Sequence, residues 1–342
     1  SALLVSCSSD DDSGTTVTQV NPNDWQNTYK ENVTLDPSVE YHLTGPVVMQ
    51  EGTTLTIPAG TVIKATGKTS SYIAISRGAK IDVQGTASNP VIMTSGETTQ
   101  KAGDWGGLVI CGDAPTNKGG SNGESAQAEV SGLIYGGSDV NDNSGSIRYL
   151  RVEYTGATFT NGKEFNGVSL FGVGAGTTFE YVQSHNGGDD GIEFFGGTVS
   201  GKYLISTNSG DDAIDFADGW SGVGENWYIK GVSKAGVEGS NNGDNGNATP
   251  MTNATLNNIS IVKGGLSGSE GGLYLKEGAG KWTASNIYIE GLDKGIKTKD
   301  SDVAAIARIE DGSITLNPIE FNGVSTIQDY AGSATYFTEG NN

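Results

Sequence analysis

Two acid-rich phrases stand 22 residues apart in the chain. Asp189-Asp190 match Asp211-Asp212, and Ile192-Glu193-Phe194 match Ile214-Asp215-Phe216. A fixed period of this length marks a repeat architecture, in which each unit hides its apolar face on its neighbours. Within each phrase the apolar residues alternate, which is strand period. Adjacent parallel strands lie about 4.7–4.9 Å apart, so Asp189 is expected over Asp211, Asp190 over Asp212, and Glu193 over Asp215. Alternation turns Ile192 and Phe194 inward and Glu193 and Asp215 outward. Like charges stacked this closely repel, and the repulsion grows as water is excluded.

Three kinds of chemistry would relieve it. Hydration and turn capping would leave Asp190 and Asp212, each before a Gly or Ala, bonding turn amides. Calcium takes six to eight oxygens, and Asp189, Asp211, Glu193 and Asp215 offer several. Catalysis would use Asp189, Asp190, Asp211 and Asp212 as acid and base. His185, Trp220 and Tyr228 flank the two phrases and join Glu193 and Asp215 as ligand-binding candidates. Lys202 and Lys230 are the nearest bases that the sequence offers.

The elements that must position these residues are strands. Glycine numbers 53 of 342 residues, about twice the usual share, with only 8 prolines and no Gly-X-Y period. Collagen is excluded, and corners needing left-handed backbone explain the glycine. Strands, Gly-rich corners and a short period without helices between them imply an all-β, right-handed parallel β-helix. Net charge is −20, from 40 acidic and 20 basic residues, which argues against nucleic acid as a partner.

Residues 1–19 read as a signal-peptide remnant and flexible acidic tether, and 20–342 as one β-helix domain. Within it 20–45 reads as an N-terminal cap, because an open sheet edge must be covered. The coils begin at Val47–Ile63 and Tyr72–Thr86, where Glu51 falls opposite Arg77. Residues 113–146 and 237–253 are rich in Gly, Ser and Asn and read as corner insertions. Residues 322–342 read as a C-terminal cap. Cys111 lies in an apolar run and is expected in or near the core. No disulfide framework or cysteine metal site follows from two cysteines.

Several stretches resemble known families. Leu4-Val5-Ser6-Cys7 resembles a bacterial lipobox, which implies acylation of Cys7. The following Ser8-Ser9-Asp10-Asp11-Asp12 resembles the acidic export signal of Bacteroidota lipoproteins, which implies a lipid anchor in the outer membrane and exposure on the cell surface. GTTLTIPAGTVIKA, RGAKIDVQGTASNPVIMTS, GDWGGLVICGDAPTN and SGSIRYLRVEYTG are similar to a family of Bacteroidota β-helix surface lipoproteins of undetermined activity. That likeness covers roughly residues 45–230 and implies the pectate-lyase and polygalacturonase type of fold. Gly188-Asp189-Asp190-Gly191-Ile192 and Gly210-Asp211-Asp212-Ala213-Ile214 resemble the paired-Asp strand of polygalacturonases, which implies acid and base roles for those four Asp. The Gly-His-Gly and Arg-Ile-Lys of that family do not occur here. Polysaccharide lyases of the same fold imply calcium and a Lys or Arg base, and no Arg stands near the acids.

The sequence therefore leads to a surface lipoprotein that binds a glycan or a protein partner without catalysis. A polysaccharide lyase or glycoside hydrolase using the acid ladder is the alternative. A structural subunit of an outer-membrane complex is the third reading.

Overall fold

A computed structural model of the chain describes residues 18–119, 125–160, 162–331 and 337–342. Cys7 and the lipobox lie outside the described residues. Nearly all strands pair in parallel, each with the strand one coil before and one coil after, and the chain winds as a right-handed parallel β-helix.

Three strand columns make the coil. One runs through Leu108–Cys111, Val168–Phe171, Ile192–Phe195, Ile214–Ala217, Ala235–Ser240 and Gly271–Lys276. The other two are halves of long strands such as Thr178–His185, Gly201–Ser209 and Val223–Val232. Each long strand bends in its middle at one residue with left-handed φ, for example Tyr181 at 55° and Tyr203 at 54°. Inward alternation fills the centre with a single continuous apolar core. Phe194, Phe216, Trp220 and Trp282 pack there ring against ring at 4.8–5.1 Å. Burying such side chains drives the fold, and each coil supplies half the shell of the next.

Several boundaries differ from the sequence reading. The expected N-terminal cap is itself a coil, because Trp25–Tyr29 pairs with Glu40–Met49 and Val33–Thr34 with Thr54–Pro58. The first insertion carries an antiparallel hairpin, Ala126–Gln127 with Ile134–Tyr135. The second starts at Asn241 and not at Val237, since Val237 stacks on Ile214 and Leu273 as a core residue. At the C-terminal end Thr326–Asp329 still pairs with Lys294–Lys297, so the stack continues into the expected cap. Arg77 falls opposite Glu51 in register, but its guanidinium donates to the Gly136 carbonyl at 2.7 Å and lies 3.8 Å from Asp113.

The two insertions hold each other. Asn117 Nδ2 donates to Asn241 Oδ1 at 3.1 Å and to the Pro250 carbonyl at 3.0 Å, and Asn242 Nδ2 donates to Asn117 Oδ1 at 3.0 Å. The helix Val303–Glu310 clamps the second insertion from beyond. Asp302 caps that helix through the Ala305 amide at 3.0 Å. Arg308, in its last turn, donates to the Gly246 carbonyl at 3.0 Å and to Asn247 Oδ1 at 2.6 Å.

Candidate functional site

The acid ladder is real in space. Glu193 registers with Asp215 and Asp215 with Glu238, so one outward row reads Ser169, Glu193, Asp215, Glu238, Tyr274. The Asp pairs sit at the corner just before these strands. Asp190 Oδ1 accepts the Asp212 amide at 2.8 Å, and Asp212 Oδ1 accepts the Ala235 amide at 2.6 Å. They do bond amides, but those of the next coil and not of their own turn. Small residues are required at this corner: a Cβ on Gly191 would lie 2.5 Å from the Ala213 carbonyl oxygen.

These acids are not a solvated face. Asp190, Asp212, Glu193, Asp215 and Glu238 keep 4–8% of their surface. The residues that enclose them come from the first insertion and its neighbour, Glu129, Lys163 and Glu164, and from the far side, Lys234, Glu270, Tyr274 and Lys276. With Asp189, Asp211 and Lys299 they line a cleft of about 400 Å³ that carries ten carboxyl side chains and four lysines.

Burial pushes the carboxyls of Asp190, Glu193, Asp212 and Asp215 well above the ordinary carboxylate range, and the neighbouring carboxylates push further. The same two causes raise Asp189 to about 7. Burial raises Glu238 too, against the pull of Lys276 at 2.8 Å. Lys276 itself is destabilised by burial, yet Glu238 and Asp215 beside it outweigh that and raise its pKa. Lys234 pairs with Asp211 at 2.7 Å, and that bond raises its pKa. Asn166 donates to Glu193 Oε2 at 2.6 Å.

Not every oxygen is served. Asp215 Oδ1 is buried without a hydrogen-bond partner. Asp215 and Glu193 lie within hydrogen-bonding reach of each other, as do Asp212 and Glu238. Two carboxyls so placed either share a proton, which leaves one neutral, or both ionise around a cation. Three sets of acids bring ligand oxygens within 4.8 Å of one another: Asp189, Asp190 and Asp211; Asp190, Glu193 and Asp215; Asp212, Glu238 and Glu270. Each is an oxygen-only donor set suited to a hard cation such as calcium. Mixed neutral and ionised carboxyls beside lysines also suit general acid–base chemistry.

The other sequence candidates fall elsewhere. Trp220 is wholly buried, with its indole N–H donated to the Val199 carbonyl at 2.9 Å, so it offers no face to a ligand. The chain turns inward after Gly219, whose φ is 92°, and carries the ring into the core. His185 lies in a different strand column, where its Nδ1 meets Thr207 Oγ1 at 2.6 Å and burial lowers its pKa. Tyr228 is 42% exposed on that same column and lines a separate groove. Lys202 pairs with Glu225 at 3.5 Å, away from the acids, and Lys230 is likewise not on the cleft. Cys111 is buried, and its thiol is pushed up to about 12 by burial.

Sequence reasoning missed Glu238, Glu270, Lys163, Lys234 and Lys276. Glu238 had a signal: Val237-Glu238 repeats the apolar–acid step of Ile214-Asp215. The lysines had none, because Lys234 and Lys276 meet their acids across coils of unequal length.

No curated protein matches the sequence. Among solved structures, the enzymatically active domain of bacteriophage CBA120 tailspike protein 2 aligns at 12% identity and a TM-score of 0.29, over 86% of this chain and 38% of that one. The Dettilon tailspike protein aligns at 11% identity and a TM-score of 0.26, over 88% of this chain and 62% of that one. The chain thus spans less than two thirds of either, and likenesses this distant add no information about the site. A family profile reaches further: the acid row and all of the parallel coils but their first two residues fall inside residues 27–341, the span matched by the pectate-lyase-like β-helix domain, and the chain belongs to that family.

Proposed function

We propose that the protein binds a glycan in the acid-lined cleft through a bound divalent cation, with calcium as the fitting ion. The observation that carries this is the buried Asp190, Glu193 and Asp215 set, with Asp215 Oδ1 unpartnered. Three carboxylates supply fewer oxygens than calcium takes, so hydroxyl or carboxylate oxygens of a sugar can complete the shell. Without a cation the cleft would repel an acidic glycan; with one it can accept it. The family name, which points to pectate lyases, agrees with a glycan ligand. Acylation at Cys7 and display on the outer membrane are part of the proposal and rest on the sequence of residues 4–12.

Depolymerisation is the second reading, and one observation favours it. Lys234 on Asp211 and Lys276 on Glu238 place basic residues beside the acids, where the sequence showed none. A panel of acidic and neutral polysaccharides, with calcium or with chelator, tests both readings. The expected result is calcium-dependent retention on one polysaccharide without new reducing ends or unsaturated products. Cleavage abolished by Asp211→Asn or Asp189→Asn would replace binding with catalysis. Neither retention nor cleavage would shift the reading to a protein partner at the surface.

A further inference from the structure

We propose that a second glycan-binding site lies in the groove beside the column of Tyr149, Tyr181 and Tyr203, and that it takes an uncharged glycan chain running along the helix axis. The groove shares no residue with the acidic cleft.

The column occupies the bend of the long strands. One residue per coil there has left-handed φ: Tyr149 51°, Tyr181 55°, Tyr203 54°, Asn226 59°, Asn258 62° and Asn286 56°. The pairing on either side puts these six in one vertical row. Asn tolerates this backbone because its short amide bonds locally, and a bulky aromatic does not. In the Asn half the row is self-sufficient: Asn258 donates to Asn226, and Asn286 donates to Asn258 at 3.1 Å. The bend therefore does not require tyrosine. Strained backbone kept where an easier residue serves elsewhere in the same row points to function.

The three rings stack at 4.4 and 4.6 Å, within 4° of parallel. Their hydroxyls, and that of Tyr228, make no hydrogen bond among the described residues. The groove beside them holds about 500 Å³. Leu150, Val182 and Leu204 turn into the core beneath it, so the apolar surface it offers is that of the tyrosine rings and Ile205, with Gln183 and Tyr228 on the far side. Ile205 is 37% exposed, Tyr228 42% and Tyr203 44%.

The lining selects the occupant. The one charged side chain lining it is Arg151, which pairs with Glu153, and Arg148, 5.7 Å from the Tyr181 ring, pairs with Glu180, so a polyanion or polycation finds no unpaired complement. Strand amides and carbonyls at the groove are committed to the coils above and below, so a peptide cannot add as a strand. The patch spans four strands, roughly 14 Å along the axis. That is too small for the ~1,200–2,000 Å² that a stable dimer buries. A neutral glycan has what remains: apolar C–H faces for Ile205 and the exposed tyrosine rings, and hydroxyls for the phenols and Gln183.

The test is affinity electrophoresis of the full chain through gels containing hydroxyethylcellulose or soluble starch, with polygalacturonate as the acidic control, all in chelator. Chelator silences the cleft, so failure of one site is read separately from failure of the other. The expected result is retardation in at least one neutral gel, weakened at least tenfold by the double change Tyr181→Asn with Tyr203→Asn and by Tyr228→Ala, and unchanged by Asp215→Asn. The double change extends the natural Asn row and keeps the fold, which circular dichroism checks. No retardation in either neutral gel, or retardation that survives the double change, would overturn the proposal. So would concentration-dependent dimerisation that the double change removes, since the groove would then be an interface between copies.

Discussion

Two rows of like residues run up this molecule, and they behave oppositely. At the strand bend, tyrosine lies on tyrosine and asparagine on asparagine, and each contact is attractive. On the outward row of the neighbouring column, Glu193, Asp215 and Glu238 lie on one another, and each contact is repulsive. A β-helix repeats position by position, so it multiplies whatever sign a contact has. Neutral rows therefore stabilise the stack without further help. A buried acid row destabilises it unless protons or a cation intervene, and such cost is retained where it serves function.

The largest expected effect is on the acid row as pH changes. Its carboxyls hold protons in the folded chain at pH values where the unfolded chain has lost them. The folded state then binds more protons, and stability falls as pH rises from the ordinary value near 3.8 through the value of about 7 for Asp189. Urea titrations in chelator should show a loss on the order of 3 kcal/mol between pH 5 and pH 8. Stability that stays flat or rises over that window would contradict the burial of these charges.

Next, Asp215→Asn should raise the stability of chelated protein at pH 8 by about 1–3 kcal/mol and reduce the pH slope, because an amide carries no charge to bury. The same change should remove most of any stabilisation by calcium. A destabilised and still pH-sensitive variant would place the repulsion elsewhere in the row.

The neutral row should respond differently. Asn258→Ala removes two amide contacts and puts a methyl at a φ of 62°, so a loss of about 1–2 kcal/mol is expected, equal at pH 5 and pH 8. Smallest of all, Tyr181→Asn exchanges ring stacking for an easier backbone and should fall within about 1 kcal/mol of the parent by the same titration. A pH-dependent loss in either variant would couple the two rows.

Much of this arrangement was legible in the chain itself. The 22-residue period and the alternation at Ile192–Phe194 and Ile214–Phe216 predict the stack, its register and the outward acids. Burial of those acids was not legible, because the residues that roof them, Glu129 in the first insertion and Lys163 in the loop before Val168–Phe171, lie in irregular stretches with no period to place them. Glu238 was obscured by the Gly- and Asn-rich stretch that follows it, although Val237 carries the strand alternation onward. Trp220 looked available because aromatic type and nearness in sequence say nothing of the turn at Gly219. The short helix at Val303–Glu310 escaped because the strand pattern around it dominates, although Asp302 stands as its cap.

The most direct test is calcium titration by calorimetry at pH 7, in two buffers of different ionisation enthalpy. If the acid row trades protons for a cation, binding is saturable, releases protons in proportion to the buffer difference, and is lost in Asp215→Asn. Absence of saturable binding at millimolar calcium, or binding without proton release that Asp215→Asn leaves intact, would contradict the account.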